Sequence, residues 1–161
     1  MDGDAARLTL PPGRRVRRGG RSAGPGCMLL CCLLLSGCGG SVQCAPFARS
    51  VTGVALYGAA AGWWRESAGR LPHTHIPRPG EILVLAATRR MPLGHVSVVR
   101  EVVGPREIIV EHANWEPGRI DRHAPVIDVS SDNDWSLVRV WWRPAHRIGS
   151  NPYPAYGFIL P

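Results

Sequence analysis

The chain contains no lysine: all nineteen of its basic residues are arginine, a bias that reflects genome base composition more readily than a functional choice. It also lacks a concentrated charge. Six of the arginines (Arg7, Arg14, Arg15, Arg17, Arg18 and Arg21) fall before residue 38, and beyond it thirteen arginines face ten Asp plus Glu, a difference of +3. So small and scattered an excess excludes a nucleic-acid footprint. No long hydrophobic run is present either. The longest apolar stretch, residues 27–35, has nine residues, too few for a transmembrane helix, which needs about 20. No internal repeat is visible. Cysteine is nearly exhausted early: Cys27, Cys31, Cys32 and Cys38 precede residue 39, and Cys44 alone follows, so no disulfide can staple the remainder. His73-Thr74-His75 has the spacing of a metal-ligand pair, but no Cys, Asp or Glu cluster completes it. It reads as a loop, with no metal and no cofactor implied.

What is present divides into four segments. Residues 1–37 read as an export leader, with an arginine-rich start followed by the nine-residue apolar run. That run ends in Leu35-Ser36-Gly37-Cys38, which resembles the lipobox of bacterial lipoproteins and implies lipid on the Cys38 sulfur; an ordinary signal peptide is the alternative. Residues 38–43 form a short tether, residues 44–143 a catalytic-type domain, and residues 144–161 a loop with a possible edge strand. The expected location is across the inner membrane, anchored in the periplasm or cell envelope.

Within the domain, Cys44, Phe47, Ala48 and Val51 follow the i, i+3, i+4, i+7 spacing of a helix that Gly53 would stop. Cys44 would open that helix, and Pro46 is tolerated in its first turn. A second short helix is expected over residues 59–68. Beyond a proline-rich loop the pattern turns to strands at 81–85, 95–103, 106–114, 126–129, 137–142 and 156–160, with a hairpin at Gly104-Pro105. Helices first and antiparallel strands after is an α+β order.

A lone thiol in an exported domain is a buried spectator or a nucleophile. A helix N-terminus favours thiolate through its unpaired N–H groups and dipole, which points to Cys44 as nucleophile. His95, preceded by Gly94, is the natural base, and a third group should orient its imidazole. With an even hairpin loop, His95 shares a face with His112 and Asn114 while Glu111 points away. A bulge near Pro105 would reverse that parity.

Gln43-Cys44-Ala45-Pro46-Phe47-Ala48-Arg49, Pro79-Gly80-Glu81-Ile82-Leu83-Val84, Leu93-Gly94-His95-Val96-Ser97-Val98-Val99 and Glu111-His112-Ala113-Asn114-Trp115 resemble, in order and spacing, the CHAP domain, a family of cysteine- and histidine-dependent amidohydrolases and peptidases related to the NlpC/P60 peptidases. The resemblance implies a papain-like α+β fold with N-terminal helices packed on an antiparallel sheet. It implies a hydrolase that cleaves a peptide or amide bond in peptidoglycan, of the endopeptidase or N-acetylmuramoyl-L-alanine amidase type. Cys44 matches the nucleophile, His95 the base, and His112 with Asn114 the orienting pair, Glu111 being the alternative third member. Trp115 would line the substrate groove. Relatives often carry Tyr where Phe47 stands, which leaves backbone N–H groups to hold the oxyanion. The rival readings are a non-enzymatic envelope binding module and a transacylase using the same Cys/His pair.

The leader generates its own test. Cys38→Ala should release the protein from membranes or block its processing, as read by fractionation; a wild-type protein found soluble in periplasm or medium would remove the anchor.

Overall fold

The computed structural model describes residues 42–161; the leader at 1–37, Cys38 and most of the 38–43 tether lie outside the described residues. The chain opens with helix α1 (Cys44–Thr52), passes through a 3-10 turn (Ala60–Gly62) into the short helix α2 (Trp63–Ser67), and is then almost entirely strand. The strands are β1 (His73–Thr74), β2 (Ile82–Leu85), β3 (His95–Gly104), β4 (Glu107–Ala113), β5 (Ile120–Asp128), β6 (Leu137–Trp142), β7 (Arg147–Ile148) and β8 (Tyr153–Ile159). Among the described residues no helix is long and apolar enough to cross a membrane.

The expected α+β, papain-like arrangement of helices on an open antiparallel sheet is not what forms. Every strand pairing is antiparallel, and β8 pairs with β2 on one side and with β6 on the other. Strands β8-β2-β3-β4-β5-β6 therefore close on themselves into a six-strand antiparallel barrel, with β1 and β7 as two-residue appendages. The two helices, of nine and five residues, are accessories to it. The physical reason lies in the C-terminal segment. Pro152 and Pro154 mark it locally as loop with a possible edge strand, yet its pairing partners, Ile82–Leu85 and Leu137–Val138, are distant in sequence. Closure abolishes the exposed edges that an open sheet would have to protect.

Because side chains alternate across a strand, the barrel wall carries two apolar faces. Leu83, Leu85, Val99, Ile108, Val110, Val126, Trp135 and Phe158 fill the interior. Ile82, Val84, Val96, Val98 and Ile159 face outward and are covered by Ala45 and Ala48 of α1 and by Leu56, Ala60 and Trp63. All four residues of β2 are buried for this reason. Helix α1 lies against β3 and β4. It ends where periodicity predicts, at Gly53, whose left-handed backbone lets its N–H donate to Arg49 O.

The packing of β1 and α2 against β8 has a steric condition at Gly157. Its φ is +124°, and a Cβ there would stand 2.7 Å from Thr74 O and 3.1 Å from Trp64 Cη2, backbone and ring that cannot both give way. Gly157→Ala should cost about 2–4 kcal/mol, the sum of a backbone conformation that L-residues disfavour and an overpacked contact. Denaturant titration measures it, and an unchanged midpoint would show that the contact of β8 with β1 and Trp64 tolerates a side chain.

Candidate active site

The first residue of α1 is Cys44, delivered by Gln43 in extended conformation. The helix starts here because Pro46 needs no first-turn N–H partner and because Ala45, Phe47 and Ala48 have a barrel wall to cover. His95 opens β3, directly after Gly94. With φ +66° and an added Cβ only 2.6 Å from both Ala61 Cβ and Leu85 O, position 94 accepts glycine alone. That close approach lets Ala61 N–H donate to Leu93 O, which holds the 3-10 turn against the strand start. Cys44, His95, Asn114 and Trp115 thus line one open cleft of about 700 Å³. Among the described residues, Arg90 is the only Arg, Asp or Glu lining it.

Behind His95 stands His112. His95 Nε2 lies 3.2 Å from His112 Nδ1, with the rings at 83° to one another. The hairpin explains the meeting. Its loop holds two residues, since Gly104 pairs with Glu107, and the register then shifts by one residue twice, between Val102/Gly104 and between Val99/Glu101. Each shift reverses parity, and two restore it. Beyond the second, Val99 pairs with Val110, so His95 and His112 fall on the interior face at one end of the barrel. Both are buried. Trp115 closes the group, its ring 5.0 Å from that of His95 and stacked on His112 at 5.7 Å, and its Nε1–H donates to Trp141 O.

Two of the residues read from sequence go elsewhere. Glu111 pairs with Val98 on the face toward α1 and is held by Arg100 at 3.2 Å and Arg122 at 3.1 Å; it does not line the cleft. Asn114 lines the cleft, but its amide grips Gln43 rather than the imidazole. Nδ2 donates to Gln43 Oε1 at 2.9 Å and Oδ1 accepts from Gly118 N–H at 2.8 Å, with φ +61° setting the turn. Asn114 therefore steadies the residue before Cys44. Phe47 is buried in the core with Arg122 above its ring. Cys38 lies outside the described residues.

The electrostatics depart from the sequence expectation of a ready thiolate. Burial pushes the Cys44 thiol up, and the backbone N–H groups of Val96, Ala45 and Cys44 offset that only in part. Burial, and then the neighbouring His112, hold His95 well below the usual imidazole range. His112 is lowered to about 4 by burial, against the pull of Asp121. The resting pair is a neutral thiol beside a neutral imidazole. Among the described residues no group of His, Cys, Asp and Glu could hold a metal ion.

Sequence reasoning missed the support behind His112. Asp121 stands opposite it in the β4–β5 register and accepts from Arg143 Nη2 at 2.9 Å. Pro117-Gly118 marks the turn that folds Asp121 back, so this pairing had a local signal. Tyr153, whose ring meets Trp115 at 5.0 Å, had none, because it arrives from the C-terminal segment that closes the barrel.

Residues 36–114 match the family model of the CHAP domain, a span that includes Cys44, His95, Glu111, His112 and Asn114. No curated protein matches the chain. The family match supports a CHAP domain over this span and, in general terms, a peptidoglycan-hydrolase type of function.

The buried histidines make stability depend on pH with a definite sign. The folded state holds His112 neutral down to about pH 4, whereas the unfolded chain protonates near the ordinary value of 6.5. The folded state thus binds fewer protons. Its stability from this source is complete above about pH 6.5 and is lost as pH falls toward 4, by about 3 kcal/mol for His112. His95 adds in the same direction. Unfolding free energies at about pH 7 and about pH 4.5 should show this loss in the wild type and a smaller one in His112→Asn; equal losses would mean that His112 is not held neutral.

Proposed function

We propose that the domain is a cell-envelope cysteine hydrolase that cleaves a peptide or amide bond in peptidoglycan, with Cys44 as nucleophile and His95 as base. The observation that carries this reading is the 3.2 Å contact of His95 Nε2 with His112 Nδ1 at the wall of the cleft that Cys44 lines. With Nε2 committed to His112, Nδ1 is the nitrogen left for the thiol. Neutral His112 accepts at Nδ1 and keeps its own proton on Nε2, so it fixes both the tautomer and the plane of His95.

In the reaction Cys44 Sγ forms a bond to the substrate carbonyl carbon while its proton passes to His95. Because both groups rest neutral, this transfer accompanies attack rather than preceding it. Backbone N–H groups at the start of α1 hold the oxyanion. His95 returns the proton to the leaving amine as the C–N bond breaks, and water activated by the same imidazole then hydrolyses the thioester. A lipid on Cys38 would place the cleft near the membrane, since six residues span at most about 20 Å.

Digestion of purified sacculi, followed by mass spectrometry of the released fragments, tests the reading and identifies the bond. Cys44→Ser should abolish release while leaving the fold intact. His112→Ala should lower kcat at least about a hundredfold. Glu111→Gln should leave kcat within about twofold and instead lower stability, because two arginines lose their buried partner. Full activity in Cys44→Ser, or a collapse in Glu111→Gln beside a near-normal His112→Ala, would overturn the assignment. Thiol labelling is a poor substitute here, since a raised thiol reacts slowly at neutral pH in enzyme and binding module alike.

A further inference from the structure

The catalytic cleft does not end at the aromatic residues beside His95. Trp115, Trp142 and Tyr153 line both that cleft and a second cavity of about 340 Å³, whose other walls include Arg147, Ser150 and Asn151. The two cavities are tied at their rims, because Arg90 on the first donates from Nη1 to Asn151 Oδ1 on the second at 3.0 Å. Trp115 and Tyr153 are committed to ring contacts. Trp142 is different: it ends β6, is 41% exposed, and makes no ring stack among the described residues. The other five tryptophans are better covered, so Trp142 presents an uncommitted indole at the wall that the two cavities share.

The walls define the chemistry of the occupant. They offer flat aromatic surface together with hydrogen-bonding groups, the Ser150 hydroxyl, the Asn151 amide and the Arg147 guanidinium, and among the described residues no carboxylate lines either cavity. A lipid chain would leave those polar groups unpaired. A pyranose ring matches both, since it presents an apolar C–H face and a rim of hydroxyl and acetamido substituents.

We infer that the second cavity is a saccharide subsite, in which the Trp142 indole is the platform for a pyranose ring and Ser150 and Asn151 bind its substituents. The inference rests on the first cleft being the place where the peptide portion is cut. It then narrows the substrate: the scissile amide lies within one cavity of a sugar, as at a sugar–peptide junction, rather than deep in a peptide crosslink.

The test separates binding from turnover. Full-length Cys44→Ala protein is titrated, by tryptophan fluorescence and by calorimetry, with a sugar–peptide fragment of peptidoglycan, with the same peptide lacking the sugar, and with an N-acetylglucosamine oligomer. The sugar-bearing fragment should bind about tenfold more tightly than the bare peptide, or about 1.4 kcal/mol. Adding Trp142→Ala should erase most of that difference, weakening the sugar-bearing fragment clearly more than the bare peptide, and Trp142→Phe should keep part of it. In the enzyme with Cys44 intact, Trp142→Ala should raise KM more for the sugar-bearing substrate than for the same peptide without the sugar. Equal affinity for the two fragments, equal weakening of both by Trp142→Ala, or tighter binding of a single-stranded oligonucleotide than of the sugar oligomer would each overturn the subsite. Absence of cleavage by the wild type would overturn the hydrolase reading instead, and the binding comparison would still decide the subsite.

Discussion

The double pairing of β8, with β2 along one edge and β6 along the other, is the constraint on which the rest of the structure depends. It converts a sheet into a barrel, seals Phe158 against Trp135 in the interior, and brings Tyr153 to Trp115. Trp115 in turn stacks on His112 and meets His95 edge-on. The histidine pair is therefore packed from a segment that no local signal connects to it. Rigid support of this kind is what the proposed reaction would need, since it relies on ring orientation rather than on preformed charge.

Desolvation decides the chemical character of the site. A helix N-terminus and an adjacent imidazole both argue for a thiolate, and the backbone N–H groups at Cys44 do pull in that direction. Burial opposes them for the thiol and disfavours the imidazolium as well, so separating charge between the two costs more than leaving both neutral. On the proposed mechanism, activation waits for substrate, whose developing oxyanion is the charge that the backbone donors would stabilise. The same desolvation makes the domain sensitive to acid, since at low pH the unfolded chain takes up protons on both histidines that the folded state does not.

Glu111 and His112 show how one residue of register separates two roles. Each is buried in β4, but the pleat sends Glu111 toward α1, where Arg100 and Arg122 neutralise it, and sends His112 to His95. A carboxylate left beside a nearly dry imidazole would have raised its pKa and favoured the charged form. The neutral histidine orients without doing so. Asp121 and Arg143 stand behind as a second charged pair that offsets one another.

Local chemistry in the sequence was enough to determine helix α1 and its stop at Gly53, most of the strands, the unpaired Cys44, the glycine before His95, and the shared face of His95 and His112. Each of these follows from short-range rules of periodicity, backbone freedom and pleat. The parity held only because two register shifts on β3 cancel; Pro105 signalled a bulge beside the turn, but nothing in the sequence announced the second shift, between Val99 and Glu101. The closed barrel in place of helices on an open sheet, the attachment of Asn114 to Gln43, the raised thiol and the cleft wall formed by Trp142 and Tyr153 were decided by tertiary structure. They depend on which distant segments pair and on how much water those pairings exclude, and neither is a property of any window of the chain.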